Sequence, residues 1–254
     1  MLLALTGAAA AAFARGLRAN TVYDEGVYLA STDALAHGQK LGSEVFASQP
    51  PGFYLLLQAD RAVLGPSLVS MRVGMLLLGL VGLVSAYYVG RSVAGPRGGF
   101  LAAGLLATPL LVEQEAVRVR GDVPAMALAL LAIALALLAV QRKGIGGAVA
   151  ATLAGAALAS AVSVKLVAAT AVVPVCAIVL RRGRRRLAPF AAGLLGVAAA
   201  LLALYGGVIG ALWNEAVRFH LQAQSAHIAG APKGPGGNVA KILSSVTDAR
   251  GVGS

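Results

Sequence analysis

Charge is scarce in this chain. Only 12% of its residues are Asp, Glu, Lys or Arg, against about 25% in ordinary soluble domains, which excludes a water-exposed globular surface. Cysteine is nearly absent as well. The single Cys176 sits in an apolar run, so no disulfide framework or thiolate metal site can form, and the residue reads as a small buried hydrophobe. P-loop, dinucleotide, nucleophile-elbow and zinc motifs are missing. The long apolar stretches, such as 125–140, do not alternate with period two, which excludes a transmembrane β-barrel.

What is abundant is apolar sequence, 58% of the chain, in runs long enough to cross a bilayer as helices that satisfy their own backbone hydrogen bonds. The reading is an all-α polytopic transmembrane bundle with about seven spans. Residues 2–14 are apolar without a basic leader region and read as a retained first span. A polar stretch over 15–51 follows, and 52–64, which carries Asp60 and Arg61, reads as a helix lying at the interface. Spans are then expected at 68–90, 100–112 and 123–140, with a basic turn over 91–99. The run 146–180 is decisive. As one helix its 35 residues would measure about 50 Å, against a hydrocarbon core of about 30 Å, so it divides near Ser163-Val164-Lys165. A last span occupies 188–212, with Trp213 marking its interface.

With that division, the turns at 91–99, 141–144 and 181–186 share one face and hold arginine and lysine without a single acid. The positive-inside rule makes that face cytoplasmic, together with the N-terminus. The net charge of +11 is thereby spent on orientation, and no nucleic-acid partner is expected. All ten acids, Asp24, Glu25, Asp33, Glu44, Asp60, Glu113, Glu115, Asp122, Glu215 and Asp248, fall in the outer segments 15–66, 113–122 and 213–254, which implies a site at the outer face.

Four groups of residues could carry chemistry there. Asp24-Glu25 in Val22-Tyr23-Asp24-Glu25-Gly26-Val27-Tyr28 could act as a general base toward an acceptor hydroxyl, or Asp24 could simply start a helix. The acids and arginines Glu113, Glu115, Arg118, Arg120 and Asp122 could grip a phosphate or form a solvated turn. Lys165 between two apolar spans needs a partner or the interface. His220 and His227 with Glu215 could contribute to a metal site, but without tight ligand spacing ordinary interfacial histidines are the plainer reading.

Taken in order, Tyr23-Asp24-Glu25-Gly26-Val27-Tyr28, His37-Gly38-Gln39, Gln49-Pro50-Pro51-Gly52-Phe53-Tyr54, Arg120-Gly121-Asp122, Lys165 and Phe219-His220 resemble GT-C fold membrane glycosyltransferases of the protein O-mannosyltransferase and aminoarabinose transferase superfamily. The resemblance implies sugar transfer with inversion, from a polyprenyl-phosphate donor to a lipid, glycan or protein acceptor, among membrane lipids at the outer face of a plasma membrane, expected to be a bacterial inner membrane. It implies Asp24 as catalytic base, Glu25 as positioning the acceptor or supporting Asp24, and Asp122 as assisting sugar or acceptor. Arg120, Lys165, Tyr28, Gln49 and His220 are the implied substrate-binding residues, the first two neutralising the lipid phosphate. Ser48-Gln49 stands where some relatives carry Glu-Lys, which leaves a divalent metal open; no other cofactor is implied. The matching residues span nearly the whole chain but only the N-terminal part of the family architecture, so a portion of a longer protein is expected. A transporter or flippase, or a noncatalytic lipid-binding subunit, is the alternative from another class. In a Cys176→Ser background, cysteines placed at Gly38 and at Gly144 are expected to label from opposite sides of sealed vesicles; labelling from the same side would overturn the topology.

Overall fold

The structure, a computed structural model, describes residues 16–17, 20–112, 117–181 and 184–219. The expected first span at 2–14 lies outside them, as do Glu113, Glu115, His220 and His227. The described chain is an all-helical membrane bundle. Helix α1 (Tyr23–Ala36) and α2 (Pro51–Leu64) belong to the first segment expected outside the membrane spans. They precede α3 (Leu68–Val112), α4 (Asp122–Gln141) and α5 (Gly144–Val164). A 3₁₀ helix, Leu166–Ala171, runs into α6 (Val172–Leu180). Next comes α7 (Leu187–Tyr205), extended by a 3₁₀ turn, the short α8 (Ile209–Trp213) and a π turn at Asn214–Arg218.

Among the described residues, four helical stretches are long and apolar enough to cross a membrane: Leu68–Thr108, Asp122–Gln141, Gly144–Val164 and Leu187–Arg218. The first folds back on itself. Ala94 and Gly95 leave helical geometry, Gly95 at φ 70°, a conformation that glycine adopts without a Cβ penalty, and Pro96 restarts the chain with its preset φ. The limbs lie so close that a Cβ at Gly90 would press on the Gly98 carbonyl and one at Gly99 on Tyr87. The nine-residue basic turn expected over 91–99 therefore contracts to about two residues, because small side chains let the limbs zip up to the bend.

The break expected within 146–180 falls where the lysine stands. Val164 ends α5, and Lys165 is extended at φ −153° and ψ 126°. The returning segment is short, 15 residues over Leu166–Leu180. Winding its first six as a 3₁₀ helix, at about 2.0 Å per residue instead of 1.5 Å, stretches it to about 26 Å.

Inside the bilayer the packing is alanine on alanine. Ala132, Ala136, Ala150, Ala151 and Ala154 are buried with Val175, Val179 and Phe190 where α4, α5, α6 and α7 meet. Where lipid is as apolar as leucine, close approach of small residues is what holds helices together. Gly155 and Gly193 mark the tightest crossing, since a Cβ at the first would fall on the Phe190 carbonyl and one at the second on that of Thr152. A second core, with Tyr28, Phe53, Tyr54, Leu57, Met71, Met75 and Val119, lies under α1 and α2. Gly52 sets the start of α2 directly on Ser163 at the end of α5, and Arg61 pairs with Asp33 at 3.0 Å to tie α2 to α1. Replacing Gly193 by Val is expected to force α5 and α7 apart and cost at least about 1–3 kcal/mol, read as a lower unfolding temperature in detergent. Gly196→Val on the same helix faces open space and should leave it unchanged; equal effects would refute the close crossing.

Candidate functional site

The site is built on a buried ion pair. Glu25 and Arg72 expose only 1% and 3% of their side chains. Arg72 Nη2 donates to Glu25 Oε2 at 2.6 Å and Nε to Oε1 at 2.9 Å. The backbone N–H groups of Val119 and Val22 add bonds of 3.1 and 3.2 Å to the same carboxylate. The guanidinium also donates to the carbonyls of Gly16, Leu17 and Asn20. Burial alone would push the Glu25 carboxyl up; Arg72 and the two N–H donors outweigh it and hold the group below its ordinary value. One arginine near the start of α3 thus gathers the chain before α1, the first turn of α1 and the turn residues 117–120.

That convergence aligns the neighbours of the clamped groups. Asp24 precedes Glu25 and Arg120 follows Val119, and these two form an ion pair of 3.2 Å. Two residues further, Asp122 pairs with Lys165 at 2.5 Å. Gly121 between them runs so close to the end of α5 that a Cβ there would stand 3.4 Å from the Val164 carbonyl oxygen and 3.7 Å from Gln49 Oε1. Gln49 donates through Nε2 to the Tyr28 hydroxyl at 3.4 Å, and Tyr28 lies one helical turn beyond Asp24. Its ring stands edge-on to Phe53 at 4.8 Å, and burial raises its hydroxyl pKa. The Tyr54 hydroxyl steadies the segment before Gln49, accepting from Ser48 N at 3.0 Å and donating to the Phe46 carbonyl.

Of the residues singled out in the sequence, Asp24, Tyr28, Gln49, Arg120, Asp122 and Lys165 therefore share one edge of the bundle, although Asp24 and Asp122 are far apart in sequence. Asp24 and Asp122 keep 47% and 56% of their side chains exposed, which leaves both open to a substrate. Glu25 is different: its two oxygens are taken by four donors inside the protein, so its geometry fits support of Asp24 rather than contact with an acceptor. Lys165 has both things a charge beside apolar spans needs, a carboxylate partner and an exit from the helical segment. His220 is outside the described residues; its neighbour Phe219 packs on Phe46 at 5.6 Å, and Glu215 accepts from Ala47 N at 2.7 Å. Among the described residues no three His, Cys, Asp or Glu side chains gather as a metal site. Sequence reasoning passed over Arg72, whose signal is an arginine four residues into the otherwise apolar stretch 68–90.

Below the Asp122 and Lys165 pair opens an apolar cavity of about 520 Å³, walled by Leu106, Val123, Met126, Val167 and Thr170, with Asp122 at its mouth. Residues 48–208 match the family model described as dolichyl-phosphate-mannose-protein mannosyltransferase. No curated protein and no solved structure matches the chain.

Asp60 on α2 points its carboxyl at Gly74, and among the described residues one of its buried oxygens has no hydrogen-bond partner. Burial raises its pKa from 3.8 to about 6. A carboxyl that binds its proton more tightly when folded stabilises the protein most below its unfolded pKa. Stability should therefore fall as pH rises from 3.8 to about 6, and Asp60→Asn should remove that part of the slope in melting curves taken across this range. The same slope in the Asn variant would contradict the assignment.

Proposed function

The chain belongs to the dolichyl-phosphate-mannose-protein mannosyltransferase family, a family of multi-pass membrane glycosyltransferases of the GT-C type, and from that premise we propose that the paired cluster is its transfer site. The donor is a polyprenyl-phosphate sugar, the acceptor offers a hydroxyl or similar group, and transfer takes place at the outer face, in a bacterial cell at the inner membrane. The observation that carries the reading is that two half-exposed carboxylates, Asp24 and Asp122, each sit against a cation at one edge. An inverting transfer needs both kinds of group, a base for the nucleophile and positive charge for the leaving phosphate.

In this reading the acceptor hydroxyl gives its proton to Asp24 as its oxygen bonds to the anomeric carbon from the face opposite the phosphate. The bond from that carbon to the phosphate oxygen breaks, and its electron pair leaves on the polyprenyl phosphate. Lys165 and Arg120 face the charge that develops there, an electrostatic contribution that fixed cations supply without reorganising. Arg120 also couples the steps. Phosphate oxygens arriving at its guanidinium compete with Asp24 for the same donors, so donor binding releases the base from its ion pair. Asp122 holds Lys165 in place before the donor arrives and orients the sugar afterwards. Tyr28 and Gln49 line the acceptor side, and the apolar cavity below Asp122 takes the start of the prenyl chain.

In membranes supplied with a labelled polyprenyl-phosphate sugar, Asp24→Asn should lower transfer by at least about 10²-fold, the scale of general-base catalysis. Lys165→Met should weaken donor binding while the protein stays inserted, and Lys165→Arg should keep part of it. Transfer at the wild-type rate by Asp24→Asn would refute the assignment of the base, and unchanged donor affinity in Lys165→Met would remove the lysine from the phosphate site.

A further inference from the structure

The end of the bundle opposite Asp24 and Asp122 carries charge of one sign only. Helix α4 has Asp122 as its first residue and Gln141 as its last, about 30 Å apart at 1.5 Å per residue. Three turns meet at that far end: the bend of α3 at Ala94 and Gly95, the link from α4 to α5 and the link from α6 to α7. Side chains fasten them to one another. The Tyr88 hydroxyl donates to Gln141 Oε1 at 2.9 Å, joining the first turn to the second. Arg186 joins the third to the second, donating through Nη2 to the Arg142 carbonyl at 2.8 Å and through Nη1 to that of Gly144 at 3.2 Å. Gly147 makes room for it, since a Cβ there would collide with the guanidinium.

This fastening crowds like charges. Arg91, Arg97, Arg142, Lys143, Arg181 and Arg185 are all exposed there, and among the described residues none of them forms an ion pair. The sequence holds no Asp or Glu over 61–112 or 123–214, so no acid lies nearby in the chain to balance them. Gathered cations repel one another and draw in a counter-ion. Orientation in the membrane accounts for cations at this end, but it has no need of bonds that bring three turns to one point. Each turn also sets an exposed apolar side chain next to its cations: Val93 two residues after Arg91, Ile145 two after Lys143, and Leu180 immediately before Arg181. A soluble polyanion would use the cations alone, whereas an amphiphile uses both. Independently of the transfer reading, we propose that this end binds an acidic phospholipid with two phosphodiester groups. One phosphate sits on Arg142 and Lys143, the other on the cations of an adjoining turn, and the acyl chains follow the exposed apolar residues. Guanidinium forks match phosphate oxygens two at a time, and basic pockets between spans suit headgroups of this kind. A lipid bound in this way bridges separate helical hairpins and holds the far end of the bundle together.

Native mass spectrometry and thermal unfolding of the whole chain in a neutral detergent test this, with cardiolipin as the probe. Phosphatidylcholine and the deacylated cardiolipin headgroup are the comparisons. Cardiolipin should stay bound as a single copy and raise the unfolding temperature, as a ligand of the folded state does. Phosphatidylcholine and the free headgroup at the same concentration should do neither. Arg142→Gln combined with Lys143→Gln should weaken cardiolipin retention at least about tenfold. Lys40→Gln combined with Arg218→Gln removes two exposed cations from the opposite end and should leave retention unchanged. Arg186→Lys keeps the charge but loses the fork that spans two carbonyls, and should weaken retention at least about threefold. Equal retention of phosphatidylcholine would mean annular lipid only and overturn the proposal. Equal loss in the two paired variants, or none in Arg186→Lys, would reduce the binding to diffuse attraction by net charge and overturn it too. Protection by the headgroup alone would make the ligand a free phosphate ester, which also contradicts a lipid site. None of these readouts involves sugar transfer, so their failure leaves the transfer reading standing.

Discussion

The buried pair of Glu25 and Arg72 is the interaction on which the rest of this end of the bundle depends. Removing two charges from water costs several kcal/mol each, and their mutual attraction offsets this only when the geometry is good and the remaining hydrogen-bonding positions are filled. Here they are filled: the carboxylate accepts from Arg72, Val119 and Val22, and the guanidinium reaches three backbone carbonyls besides. The pair therefore acts as a junction. It brings the start of α1, the segment before α4 and the first turns of α3 to one point, and the exposed neighbours Asp24 and Arg120 meet as a consequence. Such a site is specified by something that never touches substrate.

The membrane part of the molecule serves the same end by another route. Alanine and glycine packing brings α4, α5 and α7 close together, so the ends of α4 and α5 stand side by side and Asp122 meets Lys165. A bulkier core would separate those ends by a side-chain diameter and break the pair. The extended backbone at Lys165 and the 3₁₀ helix after it follow from the same constraint, a short chain that must leave the interface and return across the bilayer. That stretched segment also stands between two apolar cavities, one lined by Val167 and Thr170 and the other by Leu166 and Ala169.

Much of this was legible in the sequence. Span positions follow from hydropathy, the break at Lys165 from the excess length of 146–180 and the cost of a lysine in hydrocarbon, and the meeting of Asp24 with Asp122 from acids confined to one face together with the family resemblance that assigns both to one site. Glu25 shows where local reading stops. In the sequence it is the equal of Asp24, but successive residues on a helix point about 100° apart, and that rotation turns Glu25 into the protein while Asp24 faces out. Its partner Arg72 lies 47 residues away, and nothing local to either residue signals the pairing. The contracted turn at Ala94 and Gly95 was hidden for a related reason, since the sequence shows glycines but not which of them face one another.

The most direct test of the junction is a double-mutant cycle on thermal unfolding in detergent, using Arg72→Met, Glu25→Gln and the two together. Breaking a buried pair by removing one partner costs about 3–5 kcal/mol because a charge is left uncompensated. Arg72→Met alone should therefore be severely destabilised, and adding Glu25→Gln should restore a substantial part of the loss. Strictly additive effects, or an Arg72→Met protein as stable as the parent, would contradict the claim that this pair holds that end of the bundle together.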